Sequence, residues 1–580
     1  MKFTWKIGGE AGFGILTSGL VFSKIANRLG YFTFDYIEYP SLIRGGHNAL
    51  EVVVSDEEVH ALKQDIDFLV CLNEDTYKNH KHRLSGNAFV LYDPEEFSIS
   101  ENKRQKISVP FKKILSDLKG QPVMKNTIAM GATLAVLGSD LGILNEIIER
   151  QFIHKGQEVV DFNRQFAALG FDFIVKNFKA NIKPLMPKKA GDETFVMTGN
   201  DAFSLASIIA DCRMYCAYPM TPSSSVLTTM ASWQDKAGIV VRHAEDEISV
   251  INTALGSSFM GARSAVGTSG GGFALMVESI SFAGIAEMPI VIFLAQRAGP
   301  ATGMPTWTEQ GDLLFACFSG HGEFPKIVLA PGDIREMVKL TVKAFNLADI
   351  YQTPVIVMSD MYLSESHKSI KQQFLTSLIN EYKIDRGETI SELSNSQLST
   401  SNKYLRYQIT EDGISPRLIP GVKGQFYQAN SYEHIEDGHT TELAESRKNQ
   451  VDKRNRKNQT YLKTHFEAPS VYGNLEESDS VFVGWGSTMG SILEAQKVLN
   501  AKARKTAFIH FNHIYPLARE KVEPLFKDKK RYILVENNSQ GQFGQLLMMQ
   551  TGIEIKEKIL KYDGRPFWPE EIADHIINNT

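Results

Sequence analysis

Between residues 195 and 365 short apolar runs recur at a spacing that narrows what this chain can fold into. Strand candidates stand at 215–217, 239–241, 264–267, 290–295, 327–329 and 355–358, each followed by turn or helix residues. Strands that alternate with helical segments predict a doubly wound parallel sheet. In such a sheet, ligands bind outside the C-terminal strand ends. Four loops at those ends have specialised sequences: Tyr218-Pro219-Met220-Thr221-Pro222-Ser223-Ser224, Arg242-His243-Ala244-Glu245-Asp246-Glu247, Thr268-Ser269-Gly270-Gly271-Gly272, and Gln296-Arg297 leading through Gly299-Pro300 to Thr306.

A chain of 580 residues is too long for one core and predicts several domains. The expected divisions are an α/β domain over 1–180, a Pro- and Lys-bearing linker over 181–194, the parallel-sheet domain over 195–365, an irregular or helical connecting region over 366–477, and a C-terminal α/β domain over 478–580. A net charge of -5 argues against a nucleic-acid partner. No apolar run reaches the ~20 residues of a membrane span, so no membrane association is expected. The N-terminus runs straight into a Gly-rich turn, unlike a signal peptide. Four cysteines without a C-x-x-C pair fit the reducing cytoplasm and leave the chain without the usual iron–sulfur spacing. Cys212 and Cys216, four apart, are expected on one helix face as packing thiols.

The first domain opens as strand, Gly8-Gly9-Glu10-Ala11-Gly12-Phe13-Gly14 turn, helix and strand. Such a turn lets backbone N–H groups approach an anion, or it is only a tight turn. Arg44 beside Gly45 and Gly46 either presents a cation or sits in a plain β-turn. The basic run at 447–457 is expected as a solvated helix face, with a subunit or phosphate contact as the sharper option. In the last domain the loops at 485–490 and 536–542 read as scaffold and interface.

The junction at 245–247 carries three acids. Carboxylates at helix starts normally cap the helix or match its dipole, and this suits Glu245 and Asp246. Glu247 precedes a helix whose face is small: Ser249, Ala254, Gly256 and Ser257. Small side chains admit a flat ring, and a carboxylate there can hold a protonated ring nitrogen. The two prolines of the Tyr218 loop fix its backbone and its hydroxyls can anchor an anion. Arg297 at a strand end suits a carboxylate or phosphate clamp, and Thr302 and Thr306 offer hydroxyls. The residues alone describe a small anionic substrate beside a planar cofactor and leave the reaction open.

These four loops, with Thr308-Glu309-Gln310-Gly311-Asp312 and Gly320-His321-Gly322-Glu323-Phe324-Pro325, resemble the alpha subunits of the 2-oxoacid:ferredoxin oxidoreductases. The N-terminal domain resembles their gamma subunit through Gly8 to Gly14 and Arg44-Gly45-Gly46, and a gamma–alpha fusion is typical of the 2-oxoglutarate type. The resemblance implies an α/β fold of several doubly wound domains: a gamma-type Rossmann-like domain, a thiamine diphosphate pyrimidine-binding domain and a transketolase C-terminal-like domain. It implies thiamine diphosphate as cofactor, with Glu247 pairing with the aminopyrimidine and Tyr218, Pro219 and Thr221 beside it. Thr221 and Arg297 then hold the substrate's carboxylate and oxo group, and Thr306 its far end. Mg2+ and a [4Fe-4S] cluster belong to a separate beta subunit, in an αβ or (αβ)2 assembly, with ferredoxin as electron acceptor. Coenzyme A is the cosubstrate, near Gly12, Gly14 and Arg44. The implied reaction is oxidative decarboxylation of a small 2-oxoacid, foremost 2-oxoglutarate, to an acyl-CoA. Pyruvate, branched-chain and indolepyruvate enzymes, a non-catalytic partner on the same fold, and a nucleotide binder resting on Gly8 to Gly14 are the alternatives.

Overall fold

The computed structural model of the protein describes residues 1–41, 45–100, 105–178, 193–391, 403–527 and 530–578. They form two compact units. One comprises Met1–Met197, Glu365–Thr376 and Trp568–Glu571, the other Thr198–Ser364, Ser377–Phe567 and Ile572–Thr580.

The first unit is built on an eight-stranded sheet. Its spatial order is Gln105–Ser108, Leu84–Tyr92, Ile66–Cys71, Lys2–Glu10, His47–Ser55, Phe32–Glu38, His367–Lys371 and Thr194–Thr198. The strands from Lys2–Glu10 out to Gln105–Ser108 run parallel. Those from His47–Ser55 to His367–Lys371 pair antiparallel. The reversal comes where Gly45 and Gly46, at φ 73 and 92, adopt the left-handed backbone that glycine accepts without strain. Trp5 stacks on Phe22 with centroids 4.3 Å apart at the centre of this unit's core. The helix Lys125–Val136 packs on Gln157–Asn177 at Gly131 and Gly170, where a Cβ would strike the backbone carbonyls of Ala167 and Ile128.

Two of these strands lie outside the limits expected for the first domain. Thr194–Thr198 begins in the expected linker, and His367–Lys371 in the expected irregular region. Both complete a sheet edge. Asn27 Nδ2 donates to Thr194 Oγ1 at 2.7 Å and to Ser369 Oγ at 3.0 Å, and the Thr33 N–H donates to Ser369 Oγ at 2.8 Å. Composition marks a polar stretch as linker, whereas its role as a strand depends on an edge far away in sequence.

The second unit holds the sheet that the strand spacing predicts. Its order is His513–Tyr515, Ile327–Leu329, Pro354–Asp360, Ile290–Gln296, Arg263–Thr268, Cys212–Ala217 and Val240–His243. All pairs are parallel except the His513–Tyr515 edge. Cys212 and Cys216 therefore lie on a strand, not a helix, because the strand begins three residues before the apolar run at 215–217. All four thiols are buried and free. A second sheet, Ser470–Tyr472, Thr506–Phe511, Ser480–Trp485, Arg531–Glu536 and Glu557–Leu560, is parallel apart from its Ser470–Tyr472 edge.

The basic run departs most from expectation. It belongs to the helix Ala444–Thr464, and Gln450, Lys453, Arg454 and Lys457 are buried rather than solvated. Lys453 Nζ reaches the two carboxylate oxygens of Glu287 at 2.7 and 2.9 Å, and Lys457 Nζ reaches the second at 2.5 Å. Arg454 makes a two-point contact with Glu433 at 3.0 and 2.8 Å. Among the described residues no helix is long and apolar enough to cross a membrane.

Candidate functional site

The site grows from the start of the helix Glu247–Phe259. Asp246 is its N-cap, accepting the Ser249 N–H at 2.7 Å. This is the ordinary use of an acid at a helix start. Glu245 stays exposed. Glu247, the first helical residue, is 3% exposed, and its Oε1 has no hydrogen-bond partner. It faces the first turn of the helix Gly270–Ile285. A Cβ on Gly272 would overlap both Glu247 Oε1 and Thr268 Oγ1, so the glycine is what admits the carboxylate. The N-cap of that helix, Ser269, makes no side-chain cap, and its Oγ is buried without a partner.

Arg297 follows the strand Ile290–Gln296 and donates from Nη1 to the Thr221 carbonyl at 2.9 Å. A guanidinium carries five donors, so most remain for an anion. The buried Gln296 accepts the Asp312 N–H at 3.0 Å through Oε1. The Asp312 carboxylate lies over Gly270, with Oδ2 2.5 Å from where a Cβ would stand. Burial pushes the Asp312 carboxyl up to about 6, against the pull of Arg297. Burial, reinforced by Asp312, pushes Glu309 up to about 7. Burial draws the Arg297 guanidinium below its ordinary range, and Asp312 works the other way.

Thr221, Glu247, Thr268, Arg297 and Asp312 are thus linked around one helix turn. Tyr218 is 38% exposed, its ring 6.0 Å from that of His243. Pro219 and Thr302 are exposed, whereas Thr306 is buried. Gly12 and Gly14 lie in the first unit, where Gly14 is the N-cap of the helix Ile15–Arg28 and gives it no side-chain cap. Arg44 lies outside the described residues.

The residues of the Thr308 to Asp312 motif carry no role that the sequence alone reveals. Gln310 is fully buried. Its N–H donates to the Asn537 carbonyl at 2.7 Å, Nε2 to the Trp485 carbonyl at 3.0 Å, and Oε1 accepts the Asn537 N–H at 3.0 Å. Asn538 Nδ2 donates to the Gln310 carbonyl at 3.1 Å, and Gln542 Nε2 to the Gly311 carbonyl at 2.7 Å. The loop with both acids is held to the second sheet's strand-end loops.

A buried, unpartnered carboxylate oxygen invites an N–H donor. Arg297 nearby suits a small anion. Residues 205–453 match the family described as "Pyruvate flavodoxin/ferredoxin oxidoreductase, thiamine diP-bdg", and residues 4–173 match "Pyruvate ferredoxin/flavodoxin oxidoreductase". A 2-oxoacid:ferredoxin oxidoreductase subunit alpha from Sulfolobus sp is 32% identical, over 100% of this chain and 97% of its own. The chain belongs to the alpha subunits of the 2-oxoacid:ferredoxin oxidoreductases. Among further relatives of this alpha subunit is the 2-oxoglutarate synthase subunit KorA of Methanothermobacter thermautotrophicus. It is 28% identical over 66% of this chain and 98% of its own. The solved 2-oxoglutarate:ferredoxin oxidoreductase of Magnetococcus marinus, which has 2-oxoglutarate, coenzyme A and succinyl-CoA bound, superimposes with a TM-score of 0.91. That chain is 29% identical, with 100% of this chain and 99% of the other covered. For a member of this family the thiamine ring is the group to test against the site, and the buried Glu247 oxygen, without a hydrogen-bond partner, fits its protonated ring nitrogen.

Proposed function

We propose that the chain is the alpha subunit of a cytoplasmic 2-oxoglutarate:ferredoxin oxidoreductase. In this reading the enzyme converts 2-oxoglutarate and coenzyme A to succinyl-CoA and CO2, and passes two electrons to ferredoxin. A separate beta subunit supplies Mg2+, the [4Fe-4S] cluster and the other half of the site, so this chain is inactive alone. The observation that carries the reading is the buried, unpartnered carboxylate of Glu247 at the start of its helix.

Glu247 holds the protonated ring nitrogen of the aminopyrimidine, and Gly272, lacking a side chain, leaves room for the Glu247 carboxylate beside the Thr268 hydroxyl. Thiamine diphosphate, when bound, supplies the carbon nucleophile and the electron sink that decarboxylation needs. Arg297 holds the substrate carboxylate with the guanidinium donors that Thr221 leaves over, and is itself fixed by the Thr221 carbonyl at 2.9 Å. The Thr221 hydroxyl donates to the oxo group, and Thr306 lines the far end of the substrate. Tyr218 and Pro219 border the cofactor. Gly12 and Gly14 give an open helix start for a coenzyme A phosphate, helped by Arg44.

Glu247→Gln keeps size and shape but removes the charge. In the assembled enzyme it is expected to cut 2-oxoglutarate decarboxylation by ~10²–10⁴-fold. A near wild-type rate would leave the catalytic reading of Glu247 without support. A panel of 2-oxoacids assayed on the same preparation tests the substrate: a kcat/KM for pyruvate at or above that for 2-oxoglutarate favours the other branch.

A further inference from the structure

We infer that Glu309 and Asp312 form a titrating acid pair that sets how strongly Arg297 holds an anionic substrate. The inference rests on the reading of Arg297 as the substrate clamp. Its first support is placement. Gln296, the residue before Arg297, grips the Asp312 N–H at 3.0 Å, and the bare Gly270 lets the Asp312 carboxylate sit on the helix turn that Glu247 also faces. Gln310 and Gln542 hold the backbone of the loop that carries both acids.

The second support is the lack of compensation. Among the described residues neither carboxylate enters an ion pair, and neither accepts a side-chain hydrogen bond. The charged groups facing the pair are few. Arg297 faces Asp312 from the end of Ile290–Gln296, and Asp312 faces Glu309. The helix Gly270–Ile285 presents backbone at Gly270, the helix Gln542–Thr551 presents the neutral Gln542, and Glu247 reaches the same turn at Gly272. Burial then raises both carboxyls into the range where the cell's pH works, to about 7 for Glu309 and about 6 for Asp312.

The consequence follows from charge. Protonated, the pair leaves Arg297 unopposed and the substrate carboxylate binds. Ionised, Asp312 competes for Arg297, Glu309 acts on Asp312, and both charges repel the substrate. By linkage, an anion seated at Arg297 must raise the proton affinity of the pair, so substrate binding takes up protons. The chemistry is proton binding to a carboxylate and involves no redox change. These are positioning residues, acting through Arg297.

The test uses the enzyme as purified and 2-oxoglutarate as probe, from about pH 5.5 to about pH 8.5. KM should rise about tenfold across that window while kcat changes less. Calorimetry in two buffers of different ionisation enthalpy should show net proton uptake on binding, a readout independent of turnover. Glu309→Gln and Asp312→Asn, both isosteric, should each flatten the KM profile and reduce the uptake. An unchanged slope and unchanged uptake in both variants overturns the inference. Failure of the clamp looks different: Arg297→Met would then leave KM unaltered at every pH.

Discussion

Glu247 and Gly272 are the residue pair on which the site depends most. The glycine is the second residue after the first of its helix, where a side chain would ordinarily be harmless, yet its Cβ would overlap both Glu247 Oε1 and Thr268 Oγ1. Gly272→Ala must therefore push the carboxylate aside, and the overpacking is worth about 1–3 kcal/mol. The expected result is a thiamine diphosphate affinity lowered ~5–100-fold, read by titrating cofactor into apo-enzyme. Gly271→Ala meets open space and is the control for any general effect of alanine in the helix. Equal affinity in the two variants would remove the steric argument. Of the three acids in the junction, the sequence separates Glu247 from its neighbours only by the small helix face that follows and by the family resemblance. The capping role of Asp246 was readable from position alone. Glu309 and Asp312 were not readable, because their partial burial and the meeting of Asp312 with Arg297 are settled by folding.

At the scale of elements, the helix Ala444–Thr464 shows why periodicity can mislead. Gln450, Lys453, Arg454, Lys457 and Tyr461 share one buried face. The spacing is that of an amphipathic helix, but charged side chains occupy the inner positions, so hydrophobicity finds no stripe. They are tolerated inside because acids from distant segments meet them. Burial alone would raise the Glu287 carboxyl, and Lys453, Lys457 and Arg406 more than reverse it, leaving it ionised well below the usual carboxylate range. Glu287→Gln would strand two buried ammonium groups. Removing one partner of a buried pair costs about 3–5 kcal/mol, to be seen as a lowered denaturation midpoint with the secondary structure retained at low denaturant. The pH sign follows from the depressed carboxyl. Its contribution is present above the ordinary value of 4.5 and is lost as pH falls through the folded value. The gap between wild type and variant should therefore narrow on acidification. A gap that widens toward low pH would mean that Glu287 is not the group that holds the two lysines. The parallel sheet, by contrast, was legible from strand spacing because its inner strands are short and buried on both faces.

Across the whole second unit, polar bonds tie the C-terminal sheet to the site. The loops at 485–490 and 536–542 read as scaffold and interface in the sequence, which does not reveal their partners. Gln310 meets Trp485 across 175 residues and Asn538 across 228, and nothing local in a glutamine announces so distant a partner. Glu536 organises the receiving side. It accepts Asn538 Nδ2 at 2.7 Å, Trp485 Nε1 at 3.2 Å and the Phe543 N–H at 2.9 Å. Such a network is either satisfied throughout or costly, since each buried group left unpaired loses about 1–3 kcal/mol. Gln310→Ala and Asn538→Ala should each destabilise the protein by about that amount and raise the KM for 2-oxoglutarate, because the loop bearing Glu309 and Asp312 loosens next to Arg297. The double variant should fall short of the sum, with a coupling of about 0.5–3 kcal/mol, as expected for residues that share one network. Denaturant titration of the four forms gives the coupling, and KM on the same preparations shows whether it reaches the site. Additive stabilities with an unchanged KM would mean that the C-terminal sheet supports the fold but not the substrate loop.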